Sequence, residues 1–301
     1  MREMIFQLPW WLDAVAPHAW DEVQLHEGGQ LVARWPFQCR ARYGLRTLTQ
    51  PMLCPRLGPW LADPGERQGR HLAQHKERLC TLIDRLPPFD RFAQSFSTDL
   101  GNWLPFYWRG FSQTTHYTYR FESLDPLDQV RRDLKKGLRS DLSRAAKQLE
   151  VRESDDVEQL CRILQQTYQH HATPFALRPQ VIERAYRACQ QRQAGRILIA
   201  VDEQERVHAV DFYVWDDHCM YALARGRDFR FRNAGAPGLL LWHEIEHAAR
   251  LGLAFDFHGS MIESVESFLR GFGAHLTPYS RVTKTSGRRR ALEALGLGRT
   301  S

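Results

Sequence analysis

In FDFHGSMIESVESFLRGFGAHLTPYSRVTK, residues 255–284, Asp256 and His258 alternate with Phe255 and Phe257. Residues two apart share one face of a strand, so this pattern predicts a carboxylate beside an imidazole at an apolar strand end. Such a pair suits general-base work on an amine, or it orders the turn that follows. Gly259-Ser260 supplies that turn, and Ser260-Met261-Ile262-Glu263 matches S-x-x-E, a capping box that would start a helix. No G-x-S-x-G elbow surrounds Ser260, so it is expected to cap and not to act as a nucleophile. Asp211, among the apolar residues of VHAVDFYVWD, is a second carboxyl of interest, since burial would raise its pKa.

Two further motifs invite chemistry. Arg232-Asn233-Ala234-Gly235-Ala236-Pro237 lies between a strand pattern and a helix start, where backbone N–H groups and the helix N-terminus can hold a pyrophosphate. Arg225, Arg227, Arg230 and Arg232 add positive charge there, although an ordinary strand-to-helix loop would read the same way. HEIEH at 243–247 satisfies the H-E-x-x-H zinc pattern, with two histidines one helical turn apart and a glutamate as base. Its longer form fails at Arg250 and Leu253, and the same spacing describes the solvated face of an amphipathic helix carrying His243, Glu246, His247 and Arg250. No metal site is expected.

These residues need a scaffold. Leu160, Leu164 and Tyr168 mark a helix over 157–170, and Pro179 opens a second that Gly195 can close. RILIAVD, VHAVDFYVWD and CMYALARG, joined by short polar turns, predict an antiparallel meander, then the helix GLLLWHEIEHAARLG. Upstream, Gly28-Gly29 marks a hairpin, 66–86 a helix, and HYTYRF a strand. Asp125-Pro126 opens a helical stretch with Val130, Leu134, Leu138 and Leu142 on one side and seven Arg or Lys on the others; Gly137 is where it would break. That stretch reads as a link between halves, giving domains at 1–150 and 151–301. GNWLPFYWRGF (101–111) is dense in aromatics, which either line a pocket or fill a core.

At 301 residues with 43% hydrophobic and 25% charged residues, the chain is an ordinary globular protein with room for two domains. Its net charge of +6 favours anionic partners, or simply solubility. Six scattered cysteines without a CxxC pair predict reduced thiols in a cytoplasmic protein. Neither a signal peptide nor a membrane span is expected.

The element order from 157 to 284 resembles the GNAT acyltransferase fold, and FDFHGSMIES…FLRGFGA…PYSRVTK resembles its FemAB-like branch, the methicillin-resistance-type or BioF2-like acetyltransferases. The resemblance implies an α/β protein (α+β mixed sheets) with two tandem GNAT-like domains that joins an acyl or aminoacyl group to an amine. It implies acyl-coenzyme A as donor substrate, no tightly bound cofactor, and a small-molecule, peptide or glycan amine as acceptor. Arg225, Arg232, Asn233, Gly235 and Ala236 would then hold the donor, Asp256 and His258 would carry the chemistry, and Ser260, Arg270 and Tyr279 would meet substrate. Two positions depart from the family pattern. Pro237 replaces a small residue of the phosphate loop, and Leu269 stands where the Fem pattern has a donor-binding lysine, which argues against aminoacyl-tRNA. The alternative is a non-catalytic, degenerate GNAT binding module; an aminoacyl-tRNA-dependent peptidoglycan-type transferase and a zinc hydrolase rank behind it.

Overall fold

The computed structural model describes residues 1–63, 68–171, 177–231, 235–259 and 261–294. A 3-10 turn (Ile5–Gln7) precedes α1 (Pro9–Val15), β1 (Trp20–Glu27), β2 (Gln30–Arg42), β3 (Leu45–Thr49), β4 (Trp60–Leu61) and α2 (Gln68–Asp84). Then come β5 (Arg91–Ser95), α3 (Leu104–Tyr107), β6 (Ser112–Phe121), α4 (Leu127–Asp133), α5 (Lys136–Ala145) and β7 (Glu150–Ser154). The predicted helices follow as α6 (Val157–His170) and α7 (Pro179–Arg192), and the meander as β8 (Gly195–Val201), β9 (Val207–Trp215) and β10 (Cys219–Arg227). The chain continues through α8 (Ala236–Leu251), β11 (Ala254–Asp256), α9 (Glu263–Arg270), β12 (His275–Thr285) and α10 (Gly287–Ala294).

The chain divides into two compact units, 1–116 with 278–301 and 117–277. This differs from the expected division near residue 150. β12 pairs antiparallel with β5, Arg281 opposite Ser95 and Thr285 opposite Arg91, which returns the C-terminal chain to the first unit. The basic stretch does not serve as a linker either. It forms α4 and α5 of the second unit, and the break falls at Leu134-Lys135 with Gly137 inside α5.

In the first unit the strand order is β1-β2-β3-β5-β12, with β4 on β2. Its core gathers Trp35, Phe92, Phe96, Phe106 and Phe111, so the aromatic segment 101–111 supplies core residues there. Leu104, Tyr107 and Trp108 of the same segment remain exposed.

In the second unit the order is β6-β11-β10-β9-β8-β7. β9 is buried along almost its whole length because both faces are covered. Successive side chains of a strand point to opposite faces. Phe212 meets Tyr186 of α7 and Tyr213 meets His247 of α8, so these helices lie on opposite sides of the sheet. α7 closes at Gln193, in the left-handed conformation, and not at Gly195. Gly195 instead begins β8 where a Cβ would sit 3.0 Å from the side chain of Cys189. The α8 face of the sheet buries Phe255, Phe257, Leu241, Ile245, Leu269 and Phe272 in one cluster with Leu142 of α5.

α5 can approach α8 only because Gly235 has no side chain. A Cβ there would sit 2.6 Å from the backbone oxygen of Asp141 and 2.7 Å from Cβ of Ala145. Gly235→Ala is therefore expected to lower stability by roughly 1–3 kcal/mol in urea denaturation, as overpacking does. Gly137→Ala, facing open space in the same helix pair, should instead be neutral or stabilising by about 0.5 kcal/mol. Equal effects at the two positions would refute the packing account.

Candidate functional site

The three residues of β11 lie between β6 and β10. β11 pairs parallel to β10, Cys219 opposite Ala254 through Tyr221 opposite Asp256, and antiparallel to β6 at Phe121 and Arg120. Beyond Tyr221 and Asp256 the parallel pairing ends, although β10 runs on to Arg227. The chain leaves the sheet at His258, whose φ is 55°. Two strands therefore part at the end that carries the Asp-Phe-His-Gly motif, a place where α/β proteins keep ligands.

Asp256 is fully buried. Its Oδ1 accepts from the Thr118 hydroxyl at 2.7 Å and from the His258 backbone N–H at 2.8 Å. Arg120 lies 3.8 Å from its other oxygen. The Thr118 hydroxyl also accepts from the Gly259 N–H at 2.9 Å. The expected pairing of carboxylate with imidazole is thus corrected: β11 stops at Asp256, strand alternation does not extend to His258, and Asp256 meets the backbone of that residue. Its position makes it an orienting group, while half-buried His258 stands at the end of the motif. Gly259 is required by close approach, since a Cβ there would lie 2.5 Å from both Thr118 Cα and Tyr117 O. Thr118 was not among the sequence candidates, because nothing within β6 marks it out; only the partner strand does.

Arg225 turns inward. Its Nη2 donates to Phe257 O at 2.8 Å and Ala222 O at 3.2 Å, and its Nε lies 3.7 Å from Asp211. A guanidinium engaged in this way braces the strands, which corrects its reading as one of several loose cations for a phosphate. Asp211 is buried as expected, and burial pushes its pKa up to about 6 despite Arg225. Ala236 packs its methyl into the core, and Gly235 contributes its lack of a side chain. Arg232, Asn233 and Ser260 lie outside the described residues. α9 begins at Glu263 with Ile262 as its N-cap, so the helix start does not fall where the capping box over 260–263 requires.

Leu269 is sealed in the core, whereas Arg270 is exposed and held by Glu266 at 3.0 Å. The Tyr119 hydroxyl donates to the same Glu266, and both partners hold its carboxyl below the usual range. Tyr279 belongs to the first unit, where it packs with His116 and Arg56.

In the HEIEH segment, His243 is exposed but His247 is buried, hydrogen-bonded through Nδ1 to the Tyr213 hydroxyl at 3.0 Å. This corrects its placement on a solvated face. Glu244, the base of the zinc reading, is sealed in the interior. Among the described residues no group of three or more His, Cys, Asp or Glu is arranged to hold a metal ion.

Thr118 joins β6, Asp256 and the Gly259 turn through one hydroxyl. Thr118→Val keeps the shape and is expected to cost about 1–3 kcal/mol by leaving a buried carboxylate short of a donor. Denaturant titration beside Thr118→Ser, which restores the bonds, checks this; a Val variant as stable as Ser would refute it.

Residues 128–263 match the model of the acetyltransferase (GNAT) domain family. None of the curated proteins compared with the chain matches it. Among solved structures, FemX superposes with a TM-score of 0.69 at 11% identity, covering 97% of this chain and 94% of that one. L-PGS from Bacillus licheniformis gives 0.54 at 12% identity, covering 96% and 92%. A tandem GNAT protein from the clavulanic acid biosynthesis pathway gives 0.52 at 11% identity, covering 89% and 83%. Such identities speak for fold alone. With the parting strands, they lead to one conclusion: residues 128–263 match the acetyltransferase (GNAT) domain family, and the chain shares its fold with FemX and with the tandem GNAT protein.

Proposed function

We propose that the protein is an N-acyltransferase that takes an acyl group from acyl-coenzyme A to an amine acceptor. The observation that carries this reading is the parting of β10 from β11 after Tyr221 and Asp256, with the 16-residue helix α8 standing between these two strands along the chain. In this reading the donor phosphates lie at the loop 232–236 and the helix N-terminus, where Arg232, Asn233, Gly235 and Ala236 offer backbone groups and positive charge. A backbone N–H near Ala224–Gly226 polarises the donor carbonyl. The neighbouring N–H of Arg227 is already taken by the Thr167 hydroxyl at 2.9 Å.

The acceptor nitrogen attacks the thioester carbonyl, its proton passes to the His258 imidazole, and the carbon–sulfur bond breaks to release coenzyme A as its thiolate. Asp256 holds the His258 backbone in place, so positioning supplies much of the rate. The amine is a small molecule or part of a peptide or glycan, bound near Ser260 and Arg270. The burial of Leu269 supports acyl-coenzyme A over aminoacyl-tRNA, because the position of the Fem lysine is here a core position.

A second reading, a binding module without turnover, is favoured by one observation: the Arg225 guanidinium reaches from β10 to Phe257 O across the start of the opening. Thermal denaturation with a panel of acyl-coenzyme A compounds, followed by transfer assays on amines, separates the two. A true donor at 100 times its Kd should raise the Tm by roughly 5 °C. His258→Ala should then lower kcat about a hundredfold with little change in donor KM. Stabilisation without transfer would favour the binding module; no stabilisation by any donor would overturn acyl-coenzyme A as substrate.

A further inference from the structure

Asp211 of β9 and Glu244 of α8 are 1% and 0% exposed. Their carboxyls lie within hydrogen-bond reach of each other, yet no donor among the described residues reaches Asp211 Oδ1 or either Glu244 oxygen. With both groups ionised, acceptor would face acceptor and two negative charges would sit in the interior. One shared proton turns the contact into a donor–acceptor pair. The remaining single charge then balances the Arg225 guanidinium, 3.7 Å from Asp211 Oδ2. Arg225 in turn donates to Ala222 O on its own strand and to Phe257 O, the residue before His258.

Burial and the charge of Asp211 both push Glu244 well above the usual carboxylate range, so it is the protonated member. Asp211, nearer Arg225, ionises first. Of the other ionisable groups on this side, the Tyr213 phenol is pushed up by burial and by Glu244, and burial holds the His247 imidazole down. Arg196 on β8 and Glu153 on β7 act on Tyr213 and His247, Asp256 on β11 is engaged by Thr118, and Asp141 on α5 pairs with Arg144.

We propose that Asp211 and Glu244 form a one-proton carboxyl pair that, through Arg225, fixes the turn carrying His258 against β10. On the acyl-transfer reading given above, all three are positioning residues for that reaction. The pair is interchangeable in one respect: either carboxyl can carry the single negative charge that Arg225 needs.

This makes a pattern that simple packing does not. Asp211→Asn and Glu244→Gln each keep one carboxyl and should keep slow hydrogen exchange at the His258 and Gly259 amides. The double variant leaves Arg225 without a counter-charge. Its exchange at those amides should rise at least about tenfold beyond the sum of the single effects, with kcat falling and donor KM little changed. Infrared difference spectra of the wild type at neutral pH should show the C=O band of a protonated carboxylic acid, absent from Glu244→Gln.

The sign of the pH effect also follows. A folded state that raises a carboxyl pKa binds more protons than the unfolded chain, so stability falls as pH rises from about 4 towards neutrality. Glu244→Gln should flatten that fall. If the double variant does not fold, Arg225→Lys keeps the charge but not the reach to both carbonyls, and should speed exchange at His258 with the infrared band intact. No protonated-acid band in the wild type, or unchanged exchange in the double variant or in Arg225→Lys, would overturn the proposal. If no donor is turned over, the acyltransferase reading fails, while the band and the exchange pattern still decide the pair.

Discussion

A carboxylate without access to water must find its donors inside the protein, and Asp256 is such a group. Two of its donors come from places far apart in the chain, the Thr118 hydroxyl and the His258 backbone N–H. Satisfying it therefore fixes β6 beside β11 and bends the chain out of the sheet at His258. The Thr118 hydroxyl extends the constraint to Gly259, where the backbones come so close that only glycine fits. The opening between β10 and β11 follows from this, since a strand that ends at Asp256 cannot stay paired with one that runs on to Arg227.

Around that constraint the second unit is built in layers. The meander β8–β10 is apolar on both faces because α6 and α7 cover one and α8 the other. α8 reaches its place because Gly235 lets it cross α5 closely. Apolar side chains from β11, α9 and the 271–274 turn fill the space between them, and Leu269 is one of these. Among the described residues, polar groups buried in this unit come in linked sets, such as Asp256 with Thr118, His247 with Tyr213, and Asp211 with Glu244 and Arg225.

The chemistry proposed here divides labour between groups that are sealed and groups that are not. Asp256 and the Asp211–Glu244 pair are sealed, so they act by holding backbone and guanidinium in place. His258, half-buried at the end of the motif, is the group proposed to meet substrate. A GNAT-type site needs little more from its side chains, because backbone N–H groups and a helix N-terminus supply polarisation and phosphate contacts.

Periodicity and turn chemistry in the sequence were enough to place most elements of the second unit, although β7 carried no such signal. The apolar runs at 196–226, joined by short polar turns, read as strands, and the spacing of Leu160 and Leu164 as a helix face. The Asp-Phe-His-Gly motif likewise announced the strand end. Local pattern could not say which residues from distant segments would meet. Thr118 carries no signal of its own, and Arg225 reads as a loose cation until Phe257 O and Asp211 are set beside it. The spacing of HEIEH is equally regular whether His247 faces solvent or Tyr213. The division of the chain was decided by the pairing of β12 with β5, a contact between segments nearly 190 residues apart. Patterns within a segment fix which surfaces must be buried, but only the tertiary structure decides what each is buried against.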